Sequence, residues 1–346
     1  MTSTPLRIAL WGTGHMGVEL VRAASARRDT VLAGAIVTDP AKEGRDLSEL
    51  AGLEHELGVT ATRDADSVLS RDDIDVVFFT GGGLTEEIAQ SMTRIARAGK
   101  DAVTFSAIAH PATALGPGAA RKLDELAKAS GVHVLGTGMA PGFMLDVLPV
   151  VLASCCVTWT SVSARVVLPM DDWGAMTLDA YGIGKPPGQH TPPGSRLSFL
   201  ECVGTIVDAL GVDAAETRQL WEPLVSERRR EGGAAIVEPG RVCGVHRRYG
   251  VTTTDGREIN VELIGIYMLD EELDGVSLES TVRIDGPPTS HVSATLTGGW
   301  TPDPYPATAA VGLNCLPGLR SLPPGLYNAA QIPFAVPRSD WPSAEV

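Results

Sequence analysis

One turn constrains this chain more than any other stretch. Gly12-Thr13-Gly14-His15-Met16-Gly17 follows the apolar run LRIALW directly and opens a segment in which Met16, Leu20, Val21 and Ala24 share a helical face. A strand feeding a helix through G-x-G-x-x-G is the βα turn of a dinucleotide-binding Rossmann domain. Gly12 permits the tight turn, Gly14 lets a pyrophosphate approach the backbone, and Gly17 lets the helix pack closely on the strand. Amides at the helix start then face the phosphates.

The following residues repeat the pattern. Apolar runs at 31–37, 74–80, 102–106 and 132–135 read as strands covered on both faces. Between them Ile88, Met92, Ile95 and Ala96 share a helical face, which predicts a parallel sheet with helices packed on it. Thr85 is expected to cap that helix, with Glu86 and Glu87 at its positive end and Gly99 ending it. A further helix through Arg121 and Leu126 ends near Gly131.

After about residue 150 the period changes from helical to two. Val162, Ala164, Val166 and Leu168 alternate with Ser161, Ser163 and Arg165, and two long strands flank Asp255-Gly256, a hairpin signal. Runs at 278–284 and 292–296 extend a mostly antiparallel sheet, interrupted by one helix with Phe199, Val203, Ile206 and Leu210 on its buried face. A last helix at 307–315 is expected to stop before Pro317 and to return to the first domain. The fold class is therefore α/β: an N-terminal Rossmann domain with a parallel sheet, 1–148 with 305–335 packing back on it, plus a second α+β domain, 149–304, for substrate binding and dimerisation.

Charge and composition exclude several classes of partner. With 42 acidic against 28 basic side chains the net charge is -14, which repels nucleic acid and anionic membranes. No apolar run reaches the ~20 residues of a membrane span, and there is no signal-peptide layout, so a cytoplasmic location is expected. Cys155, Cys156, Cys202, Cys243 and Cys315 form no CxxC pair and read as reduced thiols, mostly packed. No metal-ligand spacing occurs. The run Arg228-Arg229-Arg230 between Glu227 and Glu231 reads as a solvated, self-paired surface.

Several residues stand where open parallel sheets bind ligands, at the carboxyl edge. Thr38 takes the position that meets the cofactor ribose, followed by Asp39. Lys42 and Arg45 either accept a 2′-phosphate, which would favour NADP over NAD, or belong to a solvated loop. Gly81, Gly82 and Gly83 follow the strand ending in Phe79-Thr80, and Thr80, Gly81 and Gly82 line the cofactor unless the three glycines are only a flexible connection. Ser106 ends the next strand and His110 lies four residues past it; His110 could donate a proton to a substrate oxygen, with Ser106, Tyr181 and Lys185 as rival polar groups and Ser106 also a cofactor contact.

At this point the chain resembles, nearly end to end, the dihydrodipicolinate reductase-like family that contains 2,4-diaminopentanoate dehydrogenase and the native amine dehydrogenases. The likeness is carried by residues 8–17, by KEGRD at 42–46, AGKDAVT at 98–104, TGMAPGFMLDVLP at 137–149, and by 309–325. It implies a Rossmann domain and a second domain supplying substrate pocket and dimer contacts. By that analogy Ala140, Phe143, Met144, Met170 and Trp173 line the pocket. One departure bears on chemistry. Amine dehydrogenases of the family carry a Glu-Glu-Leu-Ser-aromatic-Pro type segment; alignment on AGK and Pro111 puts Ser106 and Ala107 at its carboxylates, and Ala140 where an Asn often precedes Pro-Gly-Phe. The His-rich, Lys-containing helix of dihydrodipicolinate reductase is absent.

The expectation is an NAD(P)-dependent oxidoreductase, with a lean to NADP, transferring hydride to a C=O or C=N carbon of a small, mostly apolar substrate, as a homodimer. Two alternatives stay open: an amine dehydrogenase with a relocated carboxylate such as Asp171 or Asp172, and a non-catalytic cofactor-binding sensor or scaffold.

Overall fold

The computed structural model describes residues 4–171, 173–188, 199–287, 291–296 and 304–333, and the chain divides into two compact units, Met1–Phe143 with Tyr305–Val346, and Met144–Pro304. In the first, β1 (Leu6–Trp11), β2 (Thr30–Ile36), β3 (Ala61–Thr62), β4 (Val76–Phe79), β5 (Asp101–Thr104) and β6 (His133–Gly136) join β15 (Gly325–Tyr327). They form one sheet in the order β15-β6-β5-β4-β1-β2-β3. Every neighbouring pair is parallel. The order reverses between β1 and β4, which makes their carboxyl ends the switch point where such sheets take ligands.

Both faces of this sheet are covered, as the apolar runs require. Ile8 and Leu10 pack with Leu20, Val21 and Ala24 of α1 (His15–Ser25) and with Ala309, Leu313, Leu316 and Leu319 of α11 (Pro304–Leu319). Ala9, Val77 and Phe79 face the other way, onto Ile88, Met92, Ile95 and Ala96 of α4 (Thr85–Arg97) and Leu123 and Ala127 of α6 (Pro117–Ser130). Short α2 (Leu47–Ala51) and α3 (Ala65–Leu69) are each started by an aspartate: Asp46 accepts from Ser48 N–H, and Asp64 from the amides of Asp66 and Ser67. Gly131 ends α6 in the left-handed region, φ 70°.

Two sequence expectations are corrected here. Thr85 is the first helical residue of α4 rather than its cap; Leu84 holds that position, and Glu87 Oε2 accepts its N–H at 2.7 Å. The last helix does not stop before Pro317 but runs through it to Leu319. Proline costs one backbone bond there, but in the last turn, and the buried Leu316 and Leu319 hold that turn on the sheet.

In the second unit β7 (Ser161–Pro169), β8 (Ala214–Val225), β11 (Val242–Thr253), β12 (Glu258–Ile266), β13 (Ser280–Asp285) and β14 (His291–Leu296) form a sheet in the order β14-β13-β7-β12-β11-β8. All its pairs are antiparallel except β7 with β12. A separate ribbon pairs β9 (Arg230–Glu231) with β10 (Ile236–Val237). α7 (Val147–Ala153) and α9 (Leu200–Leu210) pack on the sheet, and α8 (Ala175–Ala180) and α10 (Glu271–Asp274) lie in its connections. The period-two reading holds: Val162, Ala164 and Val166 are buried, as are Val245, Tyr249 and Val251. The opposite register is polar and more exposed. β8 is a 12-residue edge strand exposed along most of its length.

The arginine run is the third correction. Arg229 pairs with Glu231 and Glu238 at the surface, but Arg230 is buried. Its Nη1 and Nη2 donate to the two oxygens of Asp274 at 2.8 and 2.5 Å, its Nε to Ser226 Oγ, and its Nη1 also to the Met268 carbonyl. A guanidinium can be buried when every donor meets an acceptor of this kind. No helix among the described residues is long and apolar enough to cross a membrane.

Candidate active site

The site is built first from backbone. Gly12 turns at φ 115°, its N–H donating to Ile36 O, and Thr80 Oγ1 donates to Gly12 O at 2.8 Å, tying the end of β4 to the turn. The three glycines are required for different reasons. A Cβ on Gly17 would lie 2.3 Å from Gly12 O and one on Gly12 2.9 Å from Thr80 Oγ1, so both are needed for packing. A Cβ on Gly14 would meet nothing within 4 Å. Packing leaves Gly14 free to be any residue, whereas a pyrophosphate lying on the backbone would not. Gly14 is also the N-cap of α1, with no side chain capping the first turn and no acidic residue in it, so the helix start suits an anion.

Around the turn, Lys42 Nζ donates to Thr13 O at 2.6 Å, reaching across from the loop that follows β2. Thr38 is exposed at the head of that loop, and Asp39 accepts from Ala41 N–H, so its carboxylate starts a short 3-10 turn. Arg45 is held by Glu49, four residues on. His15 is exposed and stacks on Tyr305, ring centroids 4.4 Å apart, while Met16 is half-buried.

The loops after β4 and β5 are stitched together. Ser106 Oγ donates to Gly81 O at 2.9 Å, and Gly81 lies so close over the Phe79 ring that a Cβ would sit 2.8 Å from it; Gly82 has open space. Segment 106–110 then folds over the end of β6: Ile108, fully buried, takes φ 58°, and a Cβ on Gly136 would lie 2.4 Å from the Ile108 backbone. A β-branched residue held in the left-handed region stores strain of roughly 1–3 kcal/mol, which folds tolerate mainly at functional sites. His110 ends the segment as the N-cap of α5 (Pro111–Leu115), its Nδ1 accepting from Thr113 N–H and lying 2.7 Å from Thr113 Oγ1. In the neutral ring this fixes the proton on Nε2.

Sequence reasoning did not single out Thr137, Gly136 or Ile108. Thr137 follows β6 at the same carboxyl edge, and its buried hydroxyl has no hydrogen-bond partner among the described residues. An orphaned donor there fits a ligand bearing an amide or ribose oxygen. The glycine turn, the bare helix start and this hydroxyl together fit a dinucleotide. Ala140 and Phe143 belong to the turn that follows, in which a Cβ on Gly142 would lie 2.2 Å from Gly138 N.

Among the second unit's residues, Met144 and Met170 are buried. Trp173 N–H donates to Met170 O, and its ring meets Tyr181 edge-on at 5.2 Å. Tyr181 is also buried, which pushes its phenol well up, and its hydroxyl lies 3.4 Å from Arg247 Nη1. Of the two carboxylates considered as relocated, Asp171 Oδ1 accepts from Met268 N–H, and Asp172 lies outside the described residues.

Comparison with known proteins gives this arrangement its family. The dihydrodipicolinate reductase N-terminal family matches residues 6–104, and the 2,4-diaminopentanoate dehydrogenase C-terminal domain matches residues 143–340. The 2,4-diaminopentanoate dehydrogenase of Acetoanaerobium sticklandii is 30% identical over 233 residues, and an amine dehydrogenase of Streptomyces virginiae 29% over 220. These matches cover 64% and 61% of this chain, and span 63% and 61% of the relatives' own lengths. The structure of amine dehydrogenase from Mycobacterium smegmatis has the same fold, with a TM-score of 0.84 over 96% of this chain and 97% of that one, at 22% identity. Because the C-terminal domain alone accounts for more than half of its residues, the chain belongs to the 2,4-diaminopentanoate dehydrogenase family.

Proposed function

We propose that the chain is an NAD(P)-dependent oxidoreductase that reduces a C=O or C=N carbon of a small, mostly apolar substrate, with NADP preferred. The observation that carries the reading is the contrast within the glycine turn: Gly12 and Gly17 are fixed by packing, Gly14 by nothing but a ligand. The amides at the start of α1 would hold the pyrophosphate, with Thr80 keeping the turn in place. Ser106 and Gly81 would form the floor beside the nicotinamide, and Thr137 would donate to it. When bound, the nicotinamide supplies the hydride.

The protein's own part in the chemistry is to meet the charge that develops on the reduced atom. A carbonyl oxygen gaining negative charge needs a donor, and His110, with its proton fixed on Nε2, has that form. Ser106 and Ala107 supply no carboxylate for a cationic amine, and Ser106 Oγ is bonded to Gly81 O. The preference for NADP rests on Thr38, which brings no carboxylate to a ribose diol, and on Lys42 beside the turn. Five free cysteines fit a reducing, cytoplasmic setting. The exposed 12-residue edge of β8, with Leu220 and Val225 each 45% exposed, supports a homodimer through the second unit, which light scattering giving about twice 36.3 kDa would test.

The deciding experiment is a panel of ketones and cyclic imines with NADPH and NADH, with and without excess ammonium. Turnover with NADPH is expected without ammonium, falling ~100-fold in His110→Ala at unchanged NADPH affinity. In Lys42→Ala the ratio of kcat/KM for NADPH over NADH should fall ~10-fold. Turnover that requires ammonium would move the reading to amine dehydrogenation, and no turnover with cofactor still bound would leave a sensor.

A further inference from the structure

The segment from Ser106 to His110 is fixed at both ends. Ser106 N–H donates to Thr104 Oγ1 and Ser106 Oγ to Gly81 O, while His110 caps α5 with its ring on Thr113. Ile108 stands midway, at φ 58°. A turn that needed only a positive φ would carry Gly or Asn, which take it at little cost; a β-branched residue is the least suited.

Two features hold Ile108 in that conformation. Its side chain is fully buried, in the core cluster of Phe79, Ala102 and Val134. Its carbonyl lies in a notch left by the missing side chain of Gly136: a Cβ there would be 2.4 Å from both Ile108 C and Ile108 O, and 2.7 Å from Ala107 O. Gly136 lies in β6 opposite Thr104 and has no positive φ of its own, so this contact is what asks for glycine. Among the described residues one other non-glycine residue has a positive φ, Met268, and there polar groups clamp the backbone: its N–H donates to Asp171, and its carbonyl accepts from Arg228 and Arg230. At Ile108 the clamp is an apolar side chain. Relaxing φ to a negative value would pull that side chain out of the core or drive the carbonyl into β6.

We propose that Ile108 is a positioning residue: its buried side chain, with the notch at Gly136, leaves segment 106–110 no relaxed alternative and so holds the His110 ring in one place and one tautomer. A donor has to be fixed to within a fraction of an ångström to act on a developing charge, and strain locked in by packing supplies that fixity. This deepens the oxidoreductase reading, on which it rests only for what His110 then does; the hold on the ring does not depend on hydride transfer.

The test uses the full chain and three variants. Ile108→Gly takes φ 58° without strain but loses the anchor, Ile108→Val keeps the branch and most of the burial, and Gly136→Ala fills the notch. In side-chain 1H–15N spectra, with His110 assigned by its loss in His110→Gln, the wild type and Ile108→Val should show the Nε2–H form alone, and Ile108→Gly and Gly136→Ala a mixture of tautomers. In Ile108→Gly, kcat should fall ~10- to ~100-fold at unchanged KM for NADPH, whereas Ile108→Val stays within about twofold. Gly136→Ala should lower the melting temperature by roughly 4 °C or more in the wild type but no further in Ile108→Gly, where the freed segment can move away from the methyl group. A folded Ile108→Gly with the wild-type tautomer and kcat overturns the proposal. Should that variant not fold, an unchanged His110 resonance in folded Gly136→Ala overturns it alone. If the wild type consumes no NADPH while its ring is fixed and the variants release it, the oxidoreductase reading has failed and the positioning has not.

Discussion

The two units handle charge in opposite ways. In the first, the candidate anion site is made of backbone: three glycines, a helix start without a capping side chain, and a neighbouring threonine that holds the turn. In the second, charge is carried by buried side chains, with Arg230 locked on Asp274 and Arg247 set among aromatic rings. A site made of backbone fails by steric filling and leaves the fold untouched. A site made of buried side chains cannot be altered without also altering the core that encloses it. The first kind is specified by residue absence, the second by residue presence in an unlikely register.

The sharpest way to break this comparison is at the glycines. Gly14→Val should abolish NADPH binding in nicotinamide fluorescence titration while leaving the melting temperature within a degree or two, because the added atoms meet nothing in the protein. Gly17→Ala should instead unfold the protein at lower temperature, since its Cβ would lie 2.3 Å from Gly12 O. If both variants melt like the wild type, the distinction between ligand-required and packing-required glycines is lost.

A smaller but still large effect belongs to the second unit. Asp274→Ala leaves Arg230 buried without its carboxylate and should cost about 3–5 kcal/mol in urea unfolding. NADPH affinity should be unchanged in the fraction that remains folded. A loss below ~1 kcal/mol would mean that the carbonyls of Tyr267 and Met268 are enough to hold the cation.

The smallest expected effect sharpens the comparison from within the first unit, which also has buried side-chain charge, Arg27 on Asp29 and His133 on Asp101. Asp101 accepts from His133 Nδ1 at 2.9 Å, and His133 Nε2 lies 3.0 Å from Leu322 O, which ties the connection before β15 to the sheet. The hydrogen bond to Asp101 raises the His133 pKa against the opposing effect of burial. A raised folded-state value stabilises the protein below the unfolded histidine pKa and is lost as pH rises through the folded value. The melting temperature should therefore decline as pH rises through and above the neutral range, and His133→Gln should flatten that decline. An equal slope in the variant would assign it elsewhere.

How much of this was legible in the sequence follows the same division. The alternation of apolar runs and helical faces gives the parallel sheet, because strands covered on both sides leave no other pattern, and the glycine turn gives the anion site. β15 is three residues that begin at Gly325 and escapes any periodicity argument; the fold brings it beside β6, with Leu326 N–H donating to Asp124 Oδ1 of α6 at 3.0 Å. Arg230 was hidden by its neighbours: three arginines between two glutamates read as surface, and only the fold delivers Asp274, 44 residues away, to one of them. Arg247 left a trace. In VHRRYGV the apolar register runs Val245, Arg247, Tyr249, Val251, which places a cation at a buried position that composition alone does not reveal. The strained segment 106–110 left none, because nothing local asks Ile108 for a positive φ; Gly136, far along the chain, makes room for it.

The first unit is also interrupted in sequence, and this sets an order of events during synthesis. Leu313, Leu316 and Leu319 of α11 cover the face of the sheet formed by Ile8, Leu10, Val76, Phe78, Val103 and Leu135. A ribosome that has just released β6 must add more than 160 residues before that helix emerges, which at about 5–20 residues per second leaves the part of the face that α1 does not cover bare for roughly 10–30 seconds. During that interval the nascent chain presents a flat row of apolar side chains beside the unpaired edge of β6, the kind of surface that recruits chaperones or other nascent chains. Yield on expression should therefore respond to translation speed through the second unit and to chaperone supply more strongly than the stability of the finished protein would suggest.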